Sequence, residues 1–190
     1  VRLFRDPNYL IPIKNTIMWT VMASFFPVTI GFLFAYSIQF LPRSSFFQVL
    51  IYIPATVSAA AAGVLFGFIL DKSGLFNQIL EMIGLEHLTR DWLFRAPENT
   101  YSMIGAYTWQ ATGINMMIFI VGLQGLPKEQ MEAAKLDGAG GLTLIFKIII
   151  PMIMPYFVIA SLLALINSFR VFDSVWVMTM GGPGRYSETL

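Results

Sequence analysis

The sequence predicts an all-α integral membrane protein, a polytopic bundle of transmembrane helices. Hydrophobic residues make up 56% of the 190 residues and charged residues only 12%, whereas an average soluble domain carries about 25% charged residues. Four apolar stretches are long enough to cross a hydrocarbon core of about 30 Å as helices. A short polar segment between the last two stretches has the composition of a helix outside the membrane.

The four predicted spans cover approximately 17–40, 46–70, 103–123 and 146–169. Several of them contain prolines, each of which removes a backbone donor and tends to kink a helix. Neighbouring helices must then satisfy the freed carbonyls, so we expect a packed bundle. These prolines are Pro27, Pro54, Pro151 and Pro155. The small residues at 58–63 and Gly67 predict a close interhelical contact.

Composition excludes several classes of protein. The net charge of +1 gives no broad basic or acidic field, so we expect no nucleic-acid partner. Cysteine is absent, which removes disulfides, thiol catalysis and cysteine-ligated metals. The single histidine, His87, lies in a polar loop, where one imidazole is not a metal site.

The connections between the spans differ in length. Residues 41–45 form a tight turn, whereas 71–100 is a long loop with its own pattern. Apolar residues recur at helical spacing over 75–83 and Gly84 follows, which predicts a short amphipathic helix ended by a glycine cap. With Trp92 nearby, this helix either lies at the membrane interface or packs as an ordinary loop.

The polar segment after the third span also predicts a helix. Pro127 suits a first helical turn, 128–137 contains good helix formers, and Gly138 supplies a C-terminal cap. Ala133 and Ala134 leave a flat patch that a partner can approach closely. Charged side chains surround that patch: Glu129, Glu132, Lys135 and Asp137. We interpret the segment as a docking element; the alternative is a helix lying passively on the membrane surface.

One motif identifies a family. The spacing Glu132-Ala133-Ala134, then Gly138, then Ile148-x-Ile150-Pro151 resembles the E-A-A signature of the inner-membrane permeases of ATP-binding-cassette (ABC) importers, with Ile150 in place of the usual Leu. The flanking sequence is similar to the carbohydrate-uptake branch and to the maltose-type F half of paired sugar permeases. The strings that carry this similarity are 15–16, 122–124, 126–129, 136–139, Pro155, 172–173 and 177–183.

The resemblance implies a type I ABC importer permease domain over 15–190, after an external segment at 1–14. The loop at 126–141 would hold a cytoplasmic coupling helix, and the loop at 71–100 would face outside. A final helix is expected beyond Leu190. Lysine and arginine counts oppose this orientation, with four on the coupling side and eight on the other; we follow the family. The implied ATPase-coupling residues are Glu132, Ala133, Ala134, Asp137, Gly138 and Pro151.

The energy source is expected on another subunit. The sequence contains no G-x-x-x-x-G-K-[ST] phosphate loop, so we expect no catalytic residue, metal or cofactor in this chain. ATP and Mg²⁺ would bind a partner ATPase. The other implied partners are a second permease subunit in a heterodimer, an extracytoplasmic solute-binding protein, membrane lipid and a sugar substrate.

Polar side chains inside the spans are candidates for contact with substrate, because such groups are costly in lipid. Gln110, Asn115 and Asn167 offer hydrogen bonds to sugar hydroxyls, and Trp109 offers a ring for stacking. Interhelical hydrogen bonding is the alternative use of the polar groups.

The predicted function is import of a sugar or oligosaccharide by alternating access, in the plasma membrane of a bacterium or archaeon. Two alternatives remain. One is a permease of the same superfamily for a polyol or glycerol phosphate, and the other is a channel or secondary transporter without ATP coupling.

Overall fold

The computed structural model describes residues 7–95, 98–169 and 178, and no strand occurs among them. The string at 172–173 and all of 177–183 except Met178 lie outside the described residues. The α-helices are α1 (Pro7–Ile38), α2 (Ser44–Tyr52), α3 (Ala59–Ile69), α4 (Leu75–Met82), α5 (Glu98–Gln124), α6 (Lys128–Leu136), α7 (Gly141–Leu144), α8 (Ile150–Met152) and α9 (Met154–Ser168). Two short 3₁₀ turns, Ile53–Thr56 and Glu86–Leu88, and one π turn, Ile145–Ile149, connect some of them.

The centre of the bundle is formed by α1, α5 and α9. Three rings hold these helices together: Phe32 of α1, Phe119 of α5 and Phe157 of α9 lie with centroids 4.5 to 5.5 Å apart. Phe32 and Phe119 are buried. Tilted and edge-on ring pairs at such distances contribute about 0.5–1.5 kcal/mol each beyond their buried area. A second cluster, which includes Trp19, Leu93 and Met103, fills the opposite half.

The second and fourth predicted spans are bent rather than straight. Residues 44–56 and 59–69 meet at 96°, and 141–152 and 154–168 meet at 73°. The first break lies after Pro54, where Val57 is extended and Ser58 caps α3 through its hydroxyl. The second lies at Ile153, with Pro155 in the first turn of α9. Helix α1 runs through Pro27 without interruption.

These bends bear on how the spans are counted. By length and composition, one helix of the described part qualifies outright as a span, within 15–38, and the number rises to three if each bent pair crosses as one unit. The bends agree with the kinks expected from the prolines, and the number of four spans stays a prediction. Helix α5 is long enough at 27 residues, but Gln110, Thr112 and Asn115 lower its hydropathy, and much of it is buried inside the bundle.

The run of small residues behaves differently at its two ends. Ala62 and Gly63 are buried and line a narrow cavity with Met103, Ala106 and other residues of α5, which confirms close packing there. A Cβ on Gly67 would meet nothing within 4 Å. The predicted seam therefore ends before Gly67.

The two kinds of connection lie at opposite ends of the bundle. The α1–α2 turn and α6 share one end, where Gln39 and Phe40 line the same cavity as Lys128 and Glu132. The loop after α3 packs at the other end, where Leu93 contacts the Trp19 cluster. We call these the α6 end and the α4 end. Which end faces the cytoplasm stays a prediction.

Candidate functional site

Helix α6 forms where the sequence predicts it. It starts after Pro127, carries Glu129 in its first turn and Lys135 in its last, and these charges suit the helix dipole. Gly138 has a φ of +82° and its N–H donates to the Lys135 carbonyl at 3.1 Å. A glycine in this left-handed conformation ends a helix without the strain that a Cβ brings.

One side of α6 packs on the bundle. Ala134 is buried and belongs to the same core as Phe32 and Phe119, with Met131 packed against that core. Ala133 is exposed. The prediction that the two alanines form one exposed patch is therefore wrong for Ala134, because successive residues on a helix point about 100° apart.

The outer side of α6 is more apolar than the sequence analysis recognised. Leu136 is 89% exposed, between the exposed charges of Lys135 and Asp137. Leu142 and Phe146, on the segment that follows, are 71% and 63% exposed. The sequence signal for this apolar surface is Leu136, an apolar residue between charged residues in a helix outside the predicted spans.

A continuous but irregular segment connects α6 to α9. In the π turn, the N–H of Ile150 donates to the carbonyl of Ile145, five residues earlier. Pro151 follows directly and has no N–H to donate. The segment then bends by 73°, with Ile149 and Ile153 both buried. Ala134 of α6 and these two isoleucines belong to one packed core, so a displacement of α6 would reach α9 through that core.

Space remains beside α6. A cavity of about 470 Å³ separates it from the ends of α1 and α5. Tyr36, Gln39 and Gln124 line it from the bundle, and Lys128 and Glu132 line it from α6. The Ala134 side of α6 is thus packed on the bundle, and the side with Lys128 and Glu132 faces the cavity.

Two candidate substrate residues lie near the break in the second span. The Gln110 side-chain amide donates to the carbonyl of Val57 at 2.5 Å, which favours the interhelical role for Gln110. The Trp109 ring packs edge-on against Phe66 with centroids 5.3 Å apart and remains 40% exposed. Part of that ring is free to contact another molecule.

The other two candidates meet at a second place. Asn115 and Asn167 line a cavity of about 30 Å³ with Tyr107, which is too small for a sugar. The buried Asn115 amide donates to the Ala111 carbonyl at 2.9 Å in its own helix, whereas Asn167 is exposed. The structure therefore divides the four candidates between two places.

Four further polar groups escaped the sequence analysis. The Trp19 indole N–H and the hydroxyls of Thr20, Ser24 and Thr108 are buried without a hydrogen-bond partner among the described residues. Three of them lie on α1 and one on α5. Their cost in an apolar interior makes them candidates for contact with groups beyond the described residues.

The comparisons with known proteins agree with this architecture. The family model described as "Binding-protein-dependent transport system inner membrane component" matches residues 27–188. The probable ABC transporter permease YurN of Bacillus subtilis (strain 168) is 36% identical over the whole chain, which covers 66% of that protein. The arabinooligosaccharide transport permease AraP of Halalkalibacterium halodurans is 29% identical, with 97% of this chain and 60% of that protein covered.

A solved structure gives the same fold. A chain of a bacterial alginate ABC transporter, crystallised with an alginate-bound periplasmic protein, superposes with a TM-score of 0.83 at 21% identity, covering 98% of this chain and 65% of that one. The chain thus spans about two thirds or less of the length of these three proteins. It belongs to the family of inner-membrane components of binding-protein-dependent transport systems, and the type I ABC permease fold predicted from its sequence is confirmed.

Proposed function

We propose that this chain is the permease subunit of an ABC importer that moves a sugar or oligosaccharide across the plasma membrane of a bacterium or archaeon. The single observation that carries the proposal is the shape of the α6 end. A charged helix presents Leu136 outward at 89% exposure, while Ala134 fixes its other side to the core that contains Phe119 and Phe157.

This geometry suits transmission of force from a soluble partner. A partner that covers Leu136 gains the burial of a leucine, roughly 1.5–3 kcal/mol when fully buried. The charges of Glu132, Lys135 and Asp137 would set the orientation of that partner on α6. Binding by one partner conformation more strongly than by another would shift the bundle between two states. In the proposal, that partner is an ATPase subunit that holds ATP and Mg²⁺.

The remaining partners follow from the same proposal. A second permease subunit completes the transport path, and a solute-binding protein delivers the substrate at the α4 end. Docking of the binding protein and closure of the ATPase then favour an outward-facing state, and hydrolysis resets the bundle inward. The π turn and the 73° bend lie between α6 and α9. In the proposal, closure of the ATPase on α6 therefore also moves α9.

The charge distribution favours a neutral solute. No Asp, Glu, Lys or Arg occurs within 15–38, 44–69, 103–123 or 154–168. Phosphate recognition typically uses Arg or Lys, or backbone N–H groups at a helix start. A partly exposed aromatic ring such as that of Trp109 suits a hydroxyl-rich sugar instead. These segments therefore contain no cationic side chain that could bind the phosphate group of glycerol phosphate.

A matched pair of glycine variants tests the coupling. Gly138 has a φ of +82°, Gly140 lies in extended backbone at −138°, and a Cβ at either position meets nothing within 4 Å. Valine is strained at the first position, by roughly 1–3 kcal/mol, and free of that backbone strain at the second, where the backbone is extended. We expect Gly138→Val to reduce solute-stimulated ATP hydrolysis by the assembled transporter in proteoliposomes, and Gly140→Val to leave it near the wild-type rate.

The same assay distinguishes the alternatives. Neutral sugars should stimulate hydrolysis and glycerol 3-phosphate should not. Equal rates for both glycine variants, at equal membrane insertion, would refute the coupling role of α6. Solute transport that continues without any ATPase subunit would instead support a channel or secondary transporter.

A further inference from the structure

The loop after α3 contains a helix with an unpartnered apolar face. In α4, Leu75, Ile79 and Met82 follow each other at helical spacing and are 55%, 45% and 85% exposed. At about 100° per residue they lie on one face. The exposed Gln78 borders this face, because it is four residues before Met82, whereas the exposed Glu81 lies outside it. Such a division is typical of a helix at a boundary between an apolar and an aqueous phase.

Helix α4 is held rigidly. Asn77 is 2% exposed, and its amide donates to the carbonyls of Lys72 at 3.0 Å and Arg90 at 2.8 Å. Its oxygen accepts the Trp92 indole N–H at 2.8 Å. At about 100° per residue, Asn77 lies on the side of α4 opposite Leu75, Ile79 and Met82, so the helix is fixed from the side away from its apolar face.

A tight turn sets the level of α4 relative to the bundle. A Cβ on Gly74 would lie 2.4 Å from the Phe68 carbonyl oxygen and 2.5 Å from that of Ile69, so the backbone folds back directly onto the last turn of α3. The α4 helix begins one residue later. It is thus anchored at the level where the apolar span ends.

The surface next to this turn is apolar as well. Phe68, on the last turn of α3, is 75% exposed, and Ile83, just after α4, is 62% exposed. Trp92 packs edge-on against Phe76 and lies beneath the Arg90 guanidinium at 5.3 Å. Tryptophan and arginine with apolar neighbours are typical of the headgroup level of a membrane.

From this arrangement we propose that α4 is an interfacial helix, whose Leu75–Ile79–Met82 face is buried in lipid at the headgroup–acyl boundary of the α4 end. Phe68 on the last turn of α3 is also apolar and exposed, so α4 adds to an apolar surface at the end of the span. The helix then fixes the end of α3 at one depth. The inference depends on the membrane location and not on ATP coupling or on the solute.

Spin labels test the proposal directly. These 190 residues contain no cysteine, so each variant introduces a single cysteine among them, and any cysteine elsewhere in the assembled transporter would first be replaced by serine. We would compare Ile79→Cys and Met82→Cys with the matched control Glu81→Cys, which lies outside the apolar face. The full-length chain, assembled with its partners, would be placed in nanodiscs of phosphatidylethanolamine and phosphatidylglycerol. Collision of each nitroxide with oxygen and with a water-soluble nickel chelate would be measured.

We expect the ratio of oxygen to nickel collisions to be severalfold higher at 79 and 82 than at 81. A high nickel collision rate at all three positions would overturn the proposal, because the face would be in water. Low rates with both reagents at 79 and 82, rising when the binding protein is omitted, would also overturn it, because a protein would cover the face. Retained solute transport by the Glu81→Cys variant shows that labelling preserves the fold.

Discussion

The contact between α5 and the second span gives a prediction that can be worked out in detail. A Cβ on Gly113 would lie 2.7 Å from the Ile51 carbonyl oxygen and 2.9 Å from the Tyr52 Cα. Both are backbone atoms, which cannot turn aside as a side chain can. Gly113→Ala should therefore push α5 away from α2 at the point where the second span begins to bend.

A matched control separates this contact from helix propensity. A Cβ on Gly105, in the same helix, would meet nothing within 4 Å. Either alanine should add up to about 1 kcal/mol of helix propensity, so this contribution cancels between the variants. The difference between them is the overpacking cost, roughly 1–3 kcal/mol. A separation of roughly 0.5–1 Å would forfeit a quarter to a half of the local dispersion energy.

Thermal unfolding measures this difference. For a chain of this size, 1 kcal/mol shifts the melting temperature by about 2–4 °C. We expect the melting temperature of Gly113→Ala to lie roughly 2–12 °C below that of Gly105→Ala in detergent-solubilised transporter. Equal melting temperatures, or a more stable Gly113→Ala, would refute the close approach of α5 and α2.

Three further variants test individual side chains. Asn77→Leu should leave several buried partners without a hydrogen bond, at about 1–3 kcal/mol each, and hydrogen exchange over 71–95 should become faster; unchanged exchange would contradict its role in fixing the loop. Gln110→Leu leaves the Val57 carbonyl unpaired, so we expect a lower melting temperature with an unchanged solute dependence of ATP hydrolysis; a changed dependence would indicate contact with substrate. Trp109→Ala should raise the solute concentration that gives half-maximal hydrolysis, whereas Phe66→Ala should only reduce stability; equal effects would assign Trp109 to packing.

Local signals in the sequence predicted the helix ends well. Gly84 and Gly138 were expected to end α4 and α6, and their φ values of +78° and +82° confirm both caps. A cap depends on a few neighbouring residues, so its sequence contains the necessary information. The tight turn predicted at 41–45 also forms before α2. In it, Arg43 adopts a left-handed conformation with a φ of 60°.

Features that depend on packing between helices could not be predicted in this way. Pro27 leaves α1 continuous, whereas the second span breaks after Pro54. There, the side-chain amide of Gln110, on another helix, donates a hydrogen bond to the Val57 carbonyl. No local sequence pattern predicts that partner. Likewise, only the placement of α6 on the bundle decides that Ala134 is buried and Leu136 is exposed.

The charge-free composition of 15–38, 44–69, 103–123 and 154–168 has an electrical consequence. Moving one elementary charge through a membrane potential costs or releases about 2.3 kcal/mol per 100 mV. Side chains in these segments carry no such charge, so their rearrangement does no work against the field. The conformational equilibrium of this part of the protein should therefore be nearly independent of voltage, and loss of the membrane potential alone would leave it unchanged.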